Sequence, residues 1–351
     1  MIFHHNAWHA AARAIELDRT LRARSIAGVH VLMYCKQDGT IAATSNICPH
    51  RFAPLDRGTL VGDAVRCKYH GLEFGSDGRC VHNPHTDRID AKMHIRSFPI
   101  VERHGYAWIW LGESALADPA KIPDLSAFED GDRYHSVHSY LDADYRYDIL
   151  VDNLLDLSHA DYLHVGSFAV EPAEKTTIDV REDNDDVIVE RLQLRCPRPP
   201  FVPSGPDVVD MRTIIHWHPG QVITFRIDMA PAGQDFPADE SFKFYHIATP
   251  ADEARTHYFM GLRCAGPKDP RADEAMRLTQ VNVIENEDGP MLEAIDRIME
   301  GRELMEMRPL VLPVDKGAMR VRRVMKRLLA VEAGAEHSAA AGAGHPASAE
   351  V

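Results

Sequence analysis

Cys48-Pro49-His50 is answered, after sixteen intervening residues, by Cys67-Lys68-Tyr69-His70. Each half offers one thiolate and one imidazole. Zinc sites with this ligand count usually take two Cys from one knuckle and two His from a helix. Here each loop carries one of each. That suits a [2Fe–2S] cluster in which one iron takes both Cys and the other both His, a ligand set that raises the potential above that of an all-Cys cluster. At this point a structural zinc site and a chance pairing of loop residues remain the alternatives.

A second group of metal-binding residue types stands at His159 and His164, in the stretch Asn153-Leu154-Leu155-Asp156-Leu157-Ser158-His159-Ala160-Asp161-Tyr162-Leu163-His164. Five positions of an ideal helix advance about 500°, which leaves the two rings roughly 140° apart. They can share one ion only if the helix widens into a π-type turn or breaks between them. Otherwise they are two surface histidines. A third ligand is sought in the helical pattern after residue 275, where positions 281, 284, 288, 291 and 295 trace one stripe. Asp288 fills the gap in that stripe, Glu285 borders it as the fallback ligand, and Glu287 and Glu293 point elsewhere. A carboxylate on a core-facing stripe needs a partner, because burying it alone is costly. A metal is one such partner, and an ion pair or helix cap is another. Two His and one carboxylate form the facial triad of non-haem Fe(II) oxygenases, with positions left open for O2 and substrate.

The elements that must position these groups fall into two parts. The chain has 351 residues, 45% hydrophobic and 26% charged, which suggests two globular domains. Lys plus Arg is 39 against 53 Asp plus Glu, a net charge of −14 with no long basic run, so neither nucleic acid nor an anionic membrane is an expected partner. The N-terminus has no basic region followed by an apolar one, and no apolar run reaches membrane-spanning length, so a cytoplasmic location is expected. Cys35, Cys80, Cys196 and Cys264 share no spacing and read as reduced thiols.

Residues 1–115 read as β-rich, with a hairpin turn at Asp38-Gly39 and each ligand pair near the tip of a β connection. A linker follows at Ala117 to Pro123. Residues 116–332 read as a helix over 146–164, then paired strands between Thr176 and Arg263, then a helix from 272 to about 300. An antiparallel sheet flanked by helices, an α+β arrangement, fits that order. Residues 333–351 carry no periodicity and read as a disordered tail.

The chain resembles the oxygenase component of the Rieske non-haem iron oxygenases, in the branch of vanillate O-demethylase and dicamba monooxygenase. The resemblance rests on Asn6-Ala7-Trp8, Ile47 through Leu55, Cys67 through Phe74, Val81-His82-Asn83-Pro84, Arg96-Ser97-Phe98-Pro99, Trp108-Ile109-Trp110 and Val151 through His159. It covers the chain up to about residue 330 and is closest in the first 165 residues. It implies an all-β Rieske domain holding a [2Fe–2S] cluster on Cys48, His50, Cys67 and His70. It also implies a helix-grip catalytic domain holding a mononuclear Fe(II) on His159, His164 and Asp288. In this family the protein is a homotrimer in which the cluster of one subunit faces the iron of the next. Asp156 is then the bridging acid between a cluster His and an iron-ligating His. His218 and His246 fall where relatives place polar substrate contacts. The implied activity is O2- and NAD(P)H-dependent O-demethylation of a vanillate-like aromatic methyl ether with release of formaldehyde, fed by a separate ferredoxin or flavin reductase. Ring hydroxylation, N-demethylation or oxidation of a sulfonate's methyl group are the alternatives within the family.

Overall fold

The computed structural model describes residues 3–164, 167, 173–202, 204–237 and 241–342. Ten strands build the N-terminal part: β1 Trp8–Arg13, β2 Arg22–Ile26, β3 Val29–Cys35, β4 Ile41–Ser45, β5 Thr59–Val61, β6 Ala64–Arg66, β7 Glu73–Phe74, β8 Cys80–His82, β9 Ile100–Arg103 and β10 Tyr106–Trp110. They form three antiparallel sheets, ordered β2-β3-β4, β5-β6-β7-β8 and β1-β10-β9. The apolar alternation expected of a half-exposed strand is lost in β10, which is buried along its whole length. One of its faces meets Ala12, Val31 and Met33, and the other meets the second domain.

The second part is a seven-stranded antiparallel sheet of β11 Tyr134–Ala143, β12 Lys175–Asp183, β13 Asp186–Pro197, β14 Val208–His218, β15 Val222–Pro231, β16 Phe242–Pro250 and β17 Thr256–Ala265. The last six form a meander, and β11 closes its far edge beside β17. The helices are α1 Tyr147–Leu155, α2 Ala160–Leu163, α3 Pro270–Val283, α4 Gly289–Met299 and α5 Lys316–Gly342. Trp217, Ile223, Phe225 and Met260 pack against Leu150, Leu154, Ile284 and Leu292 on the helix side of the sheet. Val222, Tyr245, Ile247 and Phe259 pack against Trp8, Tyr106, Trp108 and Trp110 on the other side. The sheet is thus the shared wall between helices and N-terminal part.

Within the sheet, a Cβ on Gly261 of β17 would stand 2.1 Å from the ring of Tyr245, its partner on β16. Only glycine lets that ring lie across β17. The Tyr245 hydroxyl, 2.9 Å from the Tyr106 hydroxyl and 2.7 Å from His138 Nδ1, then ties the two parts together.

Some elements differ from the sequence reading. The strand β11 is not among the strands the sequence predicts, because His135 and Ser139 interrupt Val137, Leu141 and Ala143 on its helix-facing side. Ser139 donates to Gln280 at 2.8 Å, and His135 pairs with Asp273. The tail expected to be disordered from residue 333 is helical through Gly342, while residues 343–351 lie outside the described residues. The helix α5 is seated by Ala318, Val321, Val324 and Met325, and an alanine-rich continuation sustains it without any apolar stripe. Among the described residues no helix is long and apolar enough to cross a membrane.

Candidate metal centres

The two Cys/His loops are built to the same pattern. In each, the Cys N–H donates to the carbonyl five residues on, Ala53 at 2.9 Å and Leu72 at 2.8 Å. In each, the fourth residue after the Cys donates back to the Cys carbonyl, Phe52 at 2.9 Å and Gly71 at 3.0 Å. That fourth residue must adopt a left-handed conformation, with φ +56° at Phe52 and +77° at Gly71. Glycine does so freely, whereas Phe52 is held there against its own preference. The paired turns put both thiols in the core, 2% exposed each, beside Leu55, Val65 and Phe74. Burial pushes the Cys48 thiol up to about 11, with the neighbouring Cys67 sulfur adding to it. The imidazoles lie outward, with the His50 and His70 rings 4.3 Å apart. Ligands grouped as a buried sulfur pair and an outer nitrogen pair fit two adjacent irons, and so they fit a [2Fe–2S] group.

The mononuclear centre depends on two breaks in regular helix. Asp156 ends α1 in an extended conformation and α2 begins after His159, so the break lies before both histidines. Between them the chain is one regular turn, with the Leu163 N–H on the His159 carbonyl at 2.8 Å and the His164 N–H on the Ala160 carbonyl at 3.2 Å, so the break or widening expected between the two ligands is not there, and they stand at the two ends of that short turn. The rings come to 5.2 Å, and each Nε2 lies 3.5 Å from Asp288 Oδ1. Two ligands about 2.1 Å from one ion at the right angles of a facial triad stand about 3.0 Å apart, so these spacings are within about half an ångström of closing on a shared ion. Asp288 is the last residue of a π-turn, Ile284–Asp288, closed by the Gly289 N–H on the Ile284 carbonyl. Pro290 has no N–H to continue an α-type ladder, which favours widening at this point. The extra residue shifts the stripe by one place. Leu292 is buried at 2%, and Met291, expected in the stripe, is 50% exposed.

Each ligand is oriented from behind. The Asp156 backbone carbonyl accepts from His159 Nδ1. Glu287 Oε2 stands 2.7 Å from His164 Nδ1 and accepts from Ser167 Oγ at 2.7 Å. Asn153 Nδ2 donates to Asp288 Oδ1 at 3.2 Å. With both Nδ1 atoms engaged, both Nε2 atoms face the carboxylate, as iron ligation needs. Desolvation pushes the Asp288 carboxyl above its ordinary range, and the two imidazoles oppose that.

These placements correct parts of the sequence reading. Glu287, expected to point away, is the residue behind His164. Glu285 is exposed and takes no part. The group of Asp156 that reaches His159 is its carbonyl, while its carboxylate accepts from the Ser158 N–H at 2.8 Å and stays half-buried. His246 is on the helix side of the sheet, in register with Ile223 and Met260. His218 is on the opposite side, in register with Val222, and pairs with Asp186. The structure therefore separates the two expected substrate contacts.

Comparison with known proteins agrees with this geometry. The Rieske [2Fe-2S] domain family matches residues 7–99, and the vanillate O-demethylase oxygenase C-terminal domain family matches residues 143–331. The oxygenase component of dicamba O-demethylase from Stenotrophomonas maltophilia is 38% identical, covering 95% of this chain and 100% of that protein. A crystal structure of dicamba monooxygenase bound to 3,6-dichlorosalicylic acid superposes with a TM-score of 0.85 at 36% identity, covering 95% of this chain and 99% of that one. Another, with non-haem iron and dicamba, gives 0.78 at 35% identity over 95% and 99% of the two chains. With matched cluster loops in an all-β domain and a His-His-Asp centre against a seven-stranded sheet, this chain belongs to the Rieske non-haem iron oxygenases, in the branch whose catalytic domain is that of the vanillate O-demethylase oxygenase.

Proposed function

We propose that this monooxygenase is a terminal oxygenase component that removes the methyl group of a vanillate-like aromatic methyl ether as formaldehyde, using O2 and electrons from NAD(P)H through a separate ferredoxin or flavin reductase. The observation that carries the reading is the convergence of His159, His164 and Asp288 in a chain that also holds the paired cluster loops. When bound, the cluster supplies electrons singly and the mononuclear Fe(II) supplies O2 activation.

The chain's own residues hold and orient. Cys48, His50, Cys67 and His70 hold the cluster, and His159, His164 and Asp288 hold the iron. His246 is set to meet a polar group of the substrate. Burial pushes its imidazole down to about 3, so it stays neutral near pH 7. Its Nδ1 is 2.6 Å from the Tyr258 hydroxyl, which burial holds well above its ordinary range and hence protonated. With that hydroxyl donating to Nδ1, the ring proton sits on Nε2 and is available to a substrate oxygen. Phe225 and Phe244 flank the ring edge-on at 5.3 and 5.6 Å and keep water from it.

The working form is a cytoplasmic homotrimer in which the cluster of one copy meets the Asp156 carboxylate of another. In this reading a Rieske domain spans residues 1–115 and a catalytic domain 116–332. Two features support the trimer. Phe52 and Tyr69, beside the cluster ligands, are 78% and 65% exposed. The core beneath them draws only on the N-terminal part. The test is a panel of aryl methyl ethers given to the purified oxygenase with a surrogate reductase. Formaldehyde formed with the matching phenol supports the reading. A ring-hydroxylated product without formaldehyde would replace it with ring oxygenation.

A further inference from the structure

A second convergent group of ligand atoms lies away from the iron centre, at Asp186, His216 and His218. The antiparallel register of β13 and β14 pairs Val187 with Trp217 and Ile188 with His216, so Asp186 comes opposite His218. His216 and His218 are two apart on β14 and point to one face. That face carries Val222 and Ile247, and the iron centre is on the other. Asp186 is fixed by the tight turn at Asn184, whose φ is +55°. All three side chains therefore come from paired backbone.

Their donor atoms close on one point. Asp186 Oδ2 is 2.9 Å from His216 Nε2 and 2.8 Å from His218 Nδ1, and the two rings are 4.0 Å apart. These are hydrogen-bond lengths, and two ligands about 2.1 Å from one tetrahedral ion stand about 3.4 Å apart, so a small opening of the group around a cation, about half an ångström per pair, converts the contacts into ligation. The nearest arginine contact in this turn, Arg327, goes to Asp185. Among the described residues, the ion-pair partners of Asp186 are the two imidazoles alone. Side-chain exposures of 28%, 33% and 17% for Asp186, His216 and His218 leave room for water to complete a coordination shell.

We propose that Asp186, His216 and His218 bind a divalent first-row cation of the zinc class. Two imidazoles and one carboxylate suit zinc, nickel or copper rather than magnesium or calcium, which take oxygen ligands. The bound ion fastens the β12–β13 turn to the end of β14, so it acts as a clasp and takes no part in oxygenation. The burial-independent feature of the site is its rigidity, since two of its ligands sit on one central strand.

Zinc chloride titrated into the iron-loaded holoenzyme, followed by calorimetry, tests this. The wild type is expected to take up one more zinc per chain than a His216→Gln/His218→Gln variant, or to bind that zinc at least tenfold more tightly. Iron per chain must stay the same before and after, which separates this site from exchange at His159, His164 and Asp288. The visible absorbance of the cluster reports that the variant is folded. Should the variant fail to fold, anomalous diffraction at the zinc edge from wild-type crystals decides the matter by a peak between the three side chains. Superimposable isotherms, zinc uptake matched by iron loss, or no anomalous peak there would overturn the proposal.

Discussion

His164 is gripped at both ring nitrogens by consecutive residues of one helix, with Nδ1 at 2.7 Å from Glu287 and Nε2 at 3.5 Å from Asp288. The π-turn that places Asp288 thus also places the group that fixes the tautomer of its partner ligand.

Replacing Glu287 should therefore loosen the iron while leaving the cluster intact. Glu287→Gln is expected to weaken iron binding roughly 10–100-fold, the range found when groups behind metal ligands are removed. A chelator challenge would take iron from about three per chain to about two, with cluster absorbance unchanged. Equal retention in variant and wild type would remove Glu287 from the account.

Asp156 is expected to act between copies of the chain. Asp156→Asn keeps the carbonyl that orients His159, so both metals should stay bound. Turnover should fall about tenfold or more as a charged link is lost. Iron content and formaldehyde rate, measured on one preparation, separate the two effects. An unchanged rate contradicts the bridging role.

Gly261→Ala should destabilise the junction between the two parts. The added Cβ would lie 2.1 Å from the Tyr245 ring, and overpacking of this kind costs about 1–3 kcal/mol or more. A fall in melting temperature of about 2–4 °C per kcal/mol is expected in a scanning experiment. No change would mean that Tyr245 moves aside freely.

The seating of α5 should depend on pH through Glu332. Its carboxyl pairs with His4 at 2.8 Å and accepts from the His5 and Asn6 N–H groups, and these contacts hold it below its ordinary range. A depressed carboxyl contributes stability that is full above its unfolded value near 4.5 and is lost as pH falls through the folded value. Glu332→Gln should thus lower the melting temperature at pH 7, and the gap to wild type should narrow as the pH is taken below about 4. A gap independent of pH would assign the effect to packing.

Much of the site could be read from residue types and spacing, because metal ligands announce themselves. The five-residue step from His159 to His164 predicts a break or widening between them, but the chain breaks earlier, at Asp156, and leaves one regular turn between the two ligands. Other features depend on geometry that spacing does not carry. Regular helical phase points Glu287 away from the centre, the π-turn alters that phase, and Gly289-Pro290 is the signal for it in the sequence. Alternation along β14 shows that His216 and His218 share a face, but only the pairing with β13 and β15 shows which face it is. The strand β11 alternates His135 and Ser139 with Val137, Leu141 and Ala143 on its helix side, and those two polar residues interrupt the apolar rhythm by which strands are recognised.

The central claim is that one chain couples a cluster to a separate oxygen-activating iron for O-demethylation. The most direct measurement is a single turnover of the pre-reduced oxygenase, without reductase, given an aryl methyl ether and O2. The account predicts formaldehyde from the wild type and none from Asp288→Ala, with the same cluster absorbance in both. Equal formaldehyde from Asp288→Ala, shown to hold only about two irons per chain, would contradict it.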